Sequence, residues 1–344
     1  MKRLLIGVAF ILILLNLTSC IPHEPINRDQ RTNFEALWKI IDERYCFHDF
    51  KEVDWDEVHE KYSALLDKKD YTYIEFFRLM SDMLDELKDG HVNLYSEFDV
   101  SVTEINPDVT KGLNIYARSK MLGSNLMRSG GMRYGLFQIK DSEVTFGYIS
   151  YGSFSSSLGN MPIILNIMDK ADAMIIDVRG NGGGSVDNSD RLVSYFLKEK
   201  TLVGYSSHKT GPGRYDFSKP KALYISPNSE VTYTEKPVII LQDRSSFSAT
   251  NEFLYKVALA DNIFRIGQKS GGGSGMPSSS ELPNGWRVRY SAVKNYDFEM
   301  KQMESGVEPN LFVENDSYYN DPAAEDRIFA TAIKYLKDTI HKEK

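Results

Sequence analysis

Two apolar runs constrain this chain more than any other feature. They are Ala171-Asp-Ala-Met-Ile-Ile-Asp-Val178 and Lys236-Pro-Val-Ile-Ile-Leu-Gln242. Neither alternates polar with apolar residues, so each reads as a strand covered on both faces. Each passes through a turn into a segment of helical spacing, residues 186–200 after the first and 249–260 after the second. TFGYISYGSF (145–154) reads as a further strand and SLGNMPIILNIMDK (157–170) as a helix. NIFRIGQ (262–268) and GWRVRYSAV (285–293) read as strands, and residues 322–340 as a long closing helix. Alternation of this kind predicts a layered α/β domain with a largely parallel sheet.

Ahead of that domain, three helices are expected. Phe34, Leu37, Trp38, Ile41 and Tyr45 recur at helical spacing behind Asn33 as N-cap, and Trp55, Val58, Tyr62 and Leu65 do so behind Asp54. The third opens on Thr72 with Glu75 three residues on, a capping box. Gly90 fits its left-handed C-terminal position, and 91–95 reads as a short strand. The predicted organisation is a leader over 1–19, a tether over 20–30, a helical subdomain over 31–96, a weakly patterned connection over 97–144 and the α/β core over 145–344. The connection is too short for a full PDZ domain.

Lys2 and Arg3, the apolar run Leu4–Leu15 and the ending Leu17-Thr-Ser-Cys20 form a signal peptide too short to span a bilayer. The ending resembles a bacterial lipobox, which implies cleavage before Cys20 and its lipidation. Ile21, rather than Asp, favours the outer membrane by the same resemblance. A lipid-anchored protein of the cell envelope, facing periplasm or surface, is expected. Cys46 is then the one remaining cysteine, so neither an intrachain disulfide nor a cysteine zinc site is available. A formal charge of −7 with no basic block gives no footing for nucleic acid.

Three segments carry chemistry. In Asp243-Arg-Ser-Ser-Phe-Ser248, the last serine immediately precedes a helix, where free N–H groups and the helix dipole stabilise an oxyanion. That position fits a nucleophile, and it equally fits a plain N-cap. A serine needs a base, and His91 follows a helix C-terminus that would favour its imidazolium; a histidine that merely bonds carbonyls fits there too. In IIDVRGNGGGSVDN (175–188), glycines after a buried strand let backbone N–H groups approach a ligand. The loop is a near miss to a dinucleotide fingerprint, with Ser185 last and no acidic residue on the next strand-like segment. No histidine pair stands at metal spacing, and no cofactor is expected.

Taken together, LKDGHVNLY (87–95), IIDVRGNGGG (175–184), DRSSFSATNEF (243–253) and IGQKSGGGSGMP with ESGVEPN (266–277, 304–310) resemble, in order, the C-terminal-processing and tricorn-type serine peptidases. The resemblance implies a crotonase-like layered core behind the helical subdomain. It implies Ser248 as nucleophile, His91 as base in the tricorn-like arrangement, and Glu304 as the carboxylate orienting His91. Ala249 with Gly182 or Gly183 would supply the oxyanion hole. The lysine of the processing branch falls on Gly273, and Lys269 lies four residues earlier, so a Ser–Lys pair is not expected. Asn251 stands where the family has Glu. The expected substrates are exported or extracytoplasmic polypeptides. The alternative is a peptide- or glycan-binding surface lipoprotein that keeps the scaffold without turnover.

Overall fold

The computed structural model describes residues 26–103, 112–123, 126–140, 142–315 and 323–343. The expected leader and Cys20 lie outside the described residues. Four helices open the described chain: α1 (Gln30–Arg44), α2 (His48–Lys51), α3 (Trp55–Leu66) and α4 (Tyr73–Asp85). The cap of α1 is Asp29, whose carboxylate accepts the Thr32 N–H at 2.7 Å, and not Asn33. Asn33 is buried instead, donating its side-chain amide to the carbonyls of Asn27 and Asp29 and accepting the Asn284 N–H. The tether expected over 20–30 is thus already docked at its end, where Asn27 donates to the Pro283 carbonyl at 2.8 Å. Asp54 caps α3. Thr72 and Glu75 form the reciprocal capping box of α4, which buries Phe76, Leu79, Met80, Met83 and Leu84.

The left-handed residue after α4 is Lys88, at φ 46°, rather than Gly90. The chain turns there because Asp89 starts a second bend, its carboxylate accepting the His91 N–H and its carbonyl accepting that of Val92. Strand β1 (Asn93–Tyr95) follows. It pairs antiparallel with β11 (Arg287–Ser291), which pairs with β10 (Pro277–Glu281). Leu282, Trp286, Val288 and Tyr290 from that distant hairpin complete the apolar core of the N-terminal helices. The helical subdomain is therefore closed by residues from the far end of the chain.

The weakly patterned stretch holds α5 (Ile115–Leu122) and a hairpin of β2 (Met127–Ser129) and β3 (Met132–Gln138). The hairpin joins the main sheet through β4 (Thr145–Tyr151). From there the expected alternation holds: α6 (Met161–Met168), β5 (Ala173–Asp177), α7 (Val186–Ser194), then β8 (Val238–Gln242), α8 (Ala249–Val257) and β9 (Ile263–Gly267). The sheet closes with β13 (Leu311–Phe312), in the order β13-β9-β8-β5-β4-β3-β2. Its members from β13 through β4 run parallel, and β3 and β2 are antiparallel. A small sheet of β12 (Val293–Tyr296), β6 (Thr201–His208) and β7 (Lys221–Ile225) stands apart.

Every residue of β5 and β8 is buried, because helices cover both faces of the large sheet. Met174, Ile176, Val238 and Ile240 face α6, α7 and α8. Ile175, Ile239 and Leu241 face the terminal helix α9 (Arg327–Glu343). Among the described residues no helix is long and apolar enough to cross a membrane.

Candidate active site

The loops that follow β4, β5 and β8 meet beyond the carboxyl ends of the parallel strands, where open α/β sheets carry their ligands. They are laced together by backbone bonds. Phe154 donates to Gly183, Phe247 to Asn181, Ser248 to Gly272 and Gly271 to Ser246. Beneath them Arg179, wholly buried, pairs with Asp177 at 2.8 Å and Asp326 at 2.7 Å, fixing the root of the glycine loop to the start of α9.

The serine-rich turn divides its labour. The Ser246 hydroxyl donates to the Val178 carbonyl and accepts the Asp243 N–H. The Asp243 carboxylate accepts the N–H groups of Gly180 and Ser245, and burial pushes its pKa up to about 6. Ser248 stands before α8 but makes no side-chain cap bond. It is held at φ 58°, ψ −123°, a region costly for any residue with a side chain. Its hydroxyl instead lies 3.0 Å from His91 Nε2.

His91 is 2% exposed, and the Phe247 ring packs on it with centroids 4.8 Å apart. Burial lowers its pKa to about 4, so the imidazole is neutral and able to accept a proton at neutral pH. Its Nδ1 is buried with no hydrogen-bond partner. Glu304, expected to orient this ring, does not bond it. Lys51 Nζ holds Oε1 at 3.2 Å and the Ser274 N–H holds Oε2 at 2.8 Å. Burial, with the negative charge of Asp89, pushes the Glu304 carboxyl well above its ordinary range. The carboxylate bonded to residue 91 is that of Asp89, at 2.7 Å from its backbone N–H, and Tyr45 and Ser291 hydroxyls hold its other oxygen.

The oxyanion candidates separate on geometry. Gly183 donates its N–H to Asn181 Oδ1 at 3.0 Å and is committed to the loop. Its place depends on having no side chain, since a Cβ would fall 2.8 Å from that of Ser248 at φ +100°. Gly182 is exposed and lines the cavity beside Ser248, while Ala249 opens α8, where helix N–H groups have no partner within the helix. At Gly273 a side chain would enter the Phe247 ring, 2.3 Å from its Cζ, and Lys269 pairs with Glu308 at 3.2 Å, so neither position offers the serine a lysine base. Asn251 is buried, donating to the Met303 carbonyl and accepting from Ser270, and so ties down the 270–274 and 303–307 loops.

A cavity of about 490 Å³ opens over Ser248 and His91, bounded by Gly182, Glu252, Met276 and Arg289. Glu252 accepts hydrogen bonds there from Lys256, which also pairs with Asp190, and from Asn295. Asp89, Asn181 and Arg289 are site residues the sequence did not single out. Asp89 is legible as an acidic residue two positions before the histidine, and Asn181 as the one side chain inside the glycine loop. The place of Arg289 has no local signal, because it depends on the β1–β11 pairing.

The profile of peptidase family S41 matches residues 145–313, and that of the tricorn protease C1 domain matches residues 26–85. A crystal structure of a candidate peptidase from Parabacteroides merdae is similar over 90% of this chain and 97% of its own, at 40% identity and TM-score 0.82. Mature CPAF complexed with lactacystin shares the fold at 11% identity and TM-score 0.66, over 90% of this chain and 98% of its own. The tricorn protease shares it at 14% identity and TM-score 0.53, over 91% of this chain and 37% of its own.

Proposed function

Because this chain belongs to peptidase family S41 and is a serine peptidase, we propose that Ser248 and His91 are its nucleophile and base. The supporting observation is the 3.0 Å separation of His91 Nε2 and Ser248 Oγ, with the serine held in a strained conformation and without a local cap bond. Oγ attacks the scissile carbonyl as its proton passes to Nε2. The oxyanion formed is held by the N–H groups of Ala249 and Gly182, each such donor contributing roughly 2.7–4 kcal/mol to the transition state. The C–N bond then breaks and His91 gives its proton to the leaving amine. Water attacks the acyl-serine, His91 takes its proton, the ester bond breaks and Ser248 regains its hydrogen.

Asp89 stabilises the imidazolium that this cycle creates. Its buried negative charge favours the protonated ring, and its bond to the residue 91 N–H fixes the turn. Glu304 stands behind it with Lys51, shaping the charge of the pocket without touching the ring. The substrates are extracytoplasmic polypeptides and the enzyme is lipid-anchored in the envelope through Cys20, a reading supported by the leader Met1–Ser19. Cys20→Ser is expected to move the protein from the membrane to the soluble fraction; unchanged membrane partition counts against the anchor.

A fluorophosphonate probe tests the chemistry. Labelling of the wild type, abolished in Ser248→Ala and slowed by at least about a hundredfold in His91→Ala, is the expected result. Labelling that persists in Ser248→Ala would falsify the assignment.

A further inference from the structure

Arg289 lines the same cavity as Ser248 and His91. It projects from β11 with one guanidinium nitrogen donating to the His91 carbonyl at 3.5 Å and to Asn93 Oδ1 at 3.1 Å. Those bonds use Nη1 alone, and among the described residues Arg289 has no carboxylate in salt-bridge contact. Asp89 and Glu252 are engaged by other groups. Asp89 is held by Tyr45, Ser291 and the residue 91 amide. Glu252 is held by Lys256 and Asn295.

Burial already pushes the Arg289 guanidinium below its ordinary pKa. A half-buried cation without a carboxylate in direct contact gains when an anion completes it, and guanidinium takes carboxylate by paired charge-assisted bonds. Asp187, exposed in the first turn of α7, lines the same cavity.

The direction of the cavity follows from the catalytic geometry, and this step rests on the function proposed above. His91 delivers the proton to the leaving amine, so the side of the cavity built on His91 receives the leaving portion of the substrate. Arg289 lies on that side, its Nη1 reaching the His91 backbone carbonyl at 3.5 Å. We infer that Arg289 selects substrates carrying a carboxylate close to the scissile bond on the leaving-group side. Either an acidic side chain or a chain-terminal carboxylate supplies that chemistry.

A random peptide pool, amidated at the C-terminus in one arm and free in the other, distinguishes these sources when cleavage sites are read by mass spectrometry. Asp and Glu are expected to be enriched on the leaving side of the amidated pool if the side chain is read. Enrichment of cuts near the end of the free-acid pool is expected if the terminus is read. In either case the preference over the neutral amide analogue is roughly tenfold to a hundredfold, and the ratio collapses toward one in Arg289→Gln. A preference that is absent, lies on the acyl side, or survives in Arg289→Gln overturns the inference.

Binding keeps the test independent of turnover. Fluorescent Glu and Gln peptides titrated against Ser248→Ala should differ in Kd by roughly tenfold, and against Ser248→Ala/Arg289→Gln they should not. Equal Kd values against Ser248→Ala sink the carboxylate site. If Ser248→Ala still cleaves, the nucleophile assignment is what has failed, and the Kd ratio still reads the site.

Discussion

Gly183→Ala is the sharpest probe of how the glycine loop sets the serine. The residue sits at φ +100°, and an added Cβ would lie 2.7 Å from the Phe247 carbonyl oxygen, 2.8 Å from Ser248 Cβ and 2.9 Å from the Ala249 nitrogen. All three neighbours are backbone or the root of a side chain, so no flexible end can swing aside. The backbone conformation alone costs about 1–3 kcal/mol for a residue with a side chain. Overpacking of a tight contact adds about 1–3 kcal/mol. Relief requires the 247–249 turn to move, and a displacement of about 1 Å at a reacting group costs on the order of a hundredfold in rate. Urea denaturation and the second-order rate of fluorophosphonate inactivation measure the two effects. Expected values are a loss of about 2–6 kcal/mol in stability and a fall of roughly thirtyfold or more in inactivation rate. Gly152→Ala, where a Cβ meets nothing within 4 Å, is the matched control. A Gly183→Ala protein within about threefold of wild type in rate and about 0.5 kcal/mol in stability would refute the steric reasoning.

The pH profile follows from burial. With the His91 pKa lowered to about 4, the acid limb of kcat/KM should fall well below the ordinary histidine value of 6.5, and a midpoint at or above 6.5 counts against a buried neutral base. For stability the signs oppose. His91 and His48, both lowered to about 4, leave the unfolded chain binding more protons between that pH and 6.5, so they weaken the fold as pH drops. Asp243, raised to about 6, binds its proton in the folded state first and strengthens the fold over the span from 6 down to its ordinary 3.8. Arg179→Met should cost about 3–5 kcal/mol in urea denaturation, because it strands Asp177 and Asp326 as buried, uncompensated charges. A loss below about 1 kcal/mol would mean those carboxyls simply take up protons.

Much of this fold is written in short-range signals. The continuous apolar runs at 173–177 and 238–242 are buried parallel strands, and Thr72 with Glu75 caps its helix as their spacing predicts. Signals that depend on a competing neighbour misled. Asn33 has the chemistry of a cap, but Asp29 reaches the same end of the helix and frees Asn33 to bind the 284 turn. Gly90 has the freedom for a left-handed turn, but the Asp89 bend places that strain on Lys88. Gly183 has an N–H at the right place in the chain, but Asn181 captures it. Ser248 reads locally as either a nucleophile or a cap, and the imidazole 3.0 Å from its hydroxyl comes from 157 positions upstream. Glu304 shows the converse: a carboxylate in a fitting segment is drawn off by Lys51 and the Ser274 amide, neither of which is near it in sequence.

The pairing of Asn93–Tyr95 with Arg287–Ser291 also governs when the histidine-bearing segment can take its place during synthesis. Until Arg287–Ser291 has been synthesised, the segment bearing the imidazole has no partner strand and its hydrophobic support is unfinished. Contacts of such long sequence separation form late. The imidazole and the Ser248 hydroxyl therefore cannot be held 3.0 Å apart until that distant strand exists.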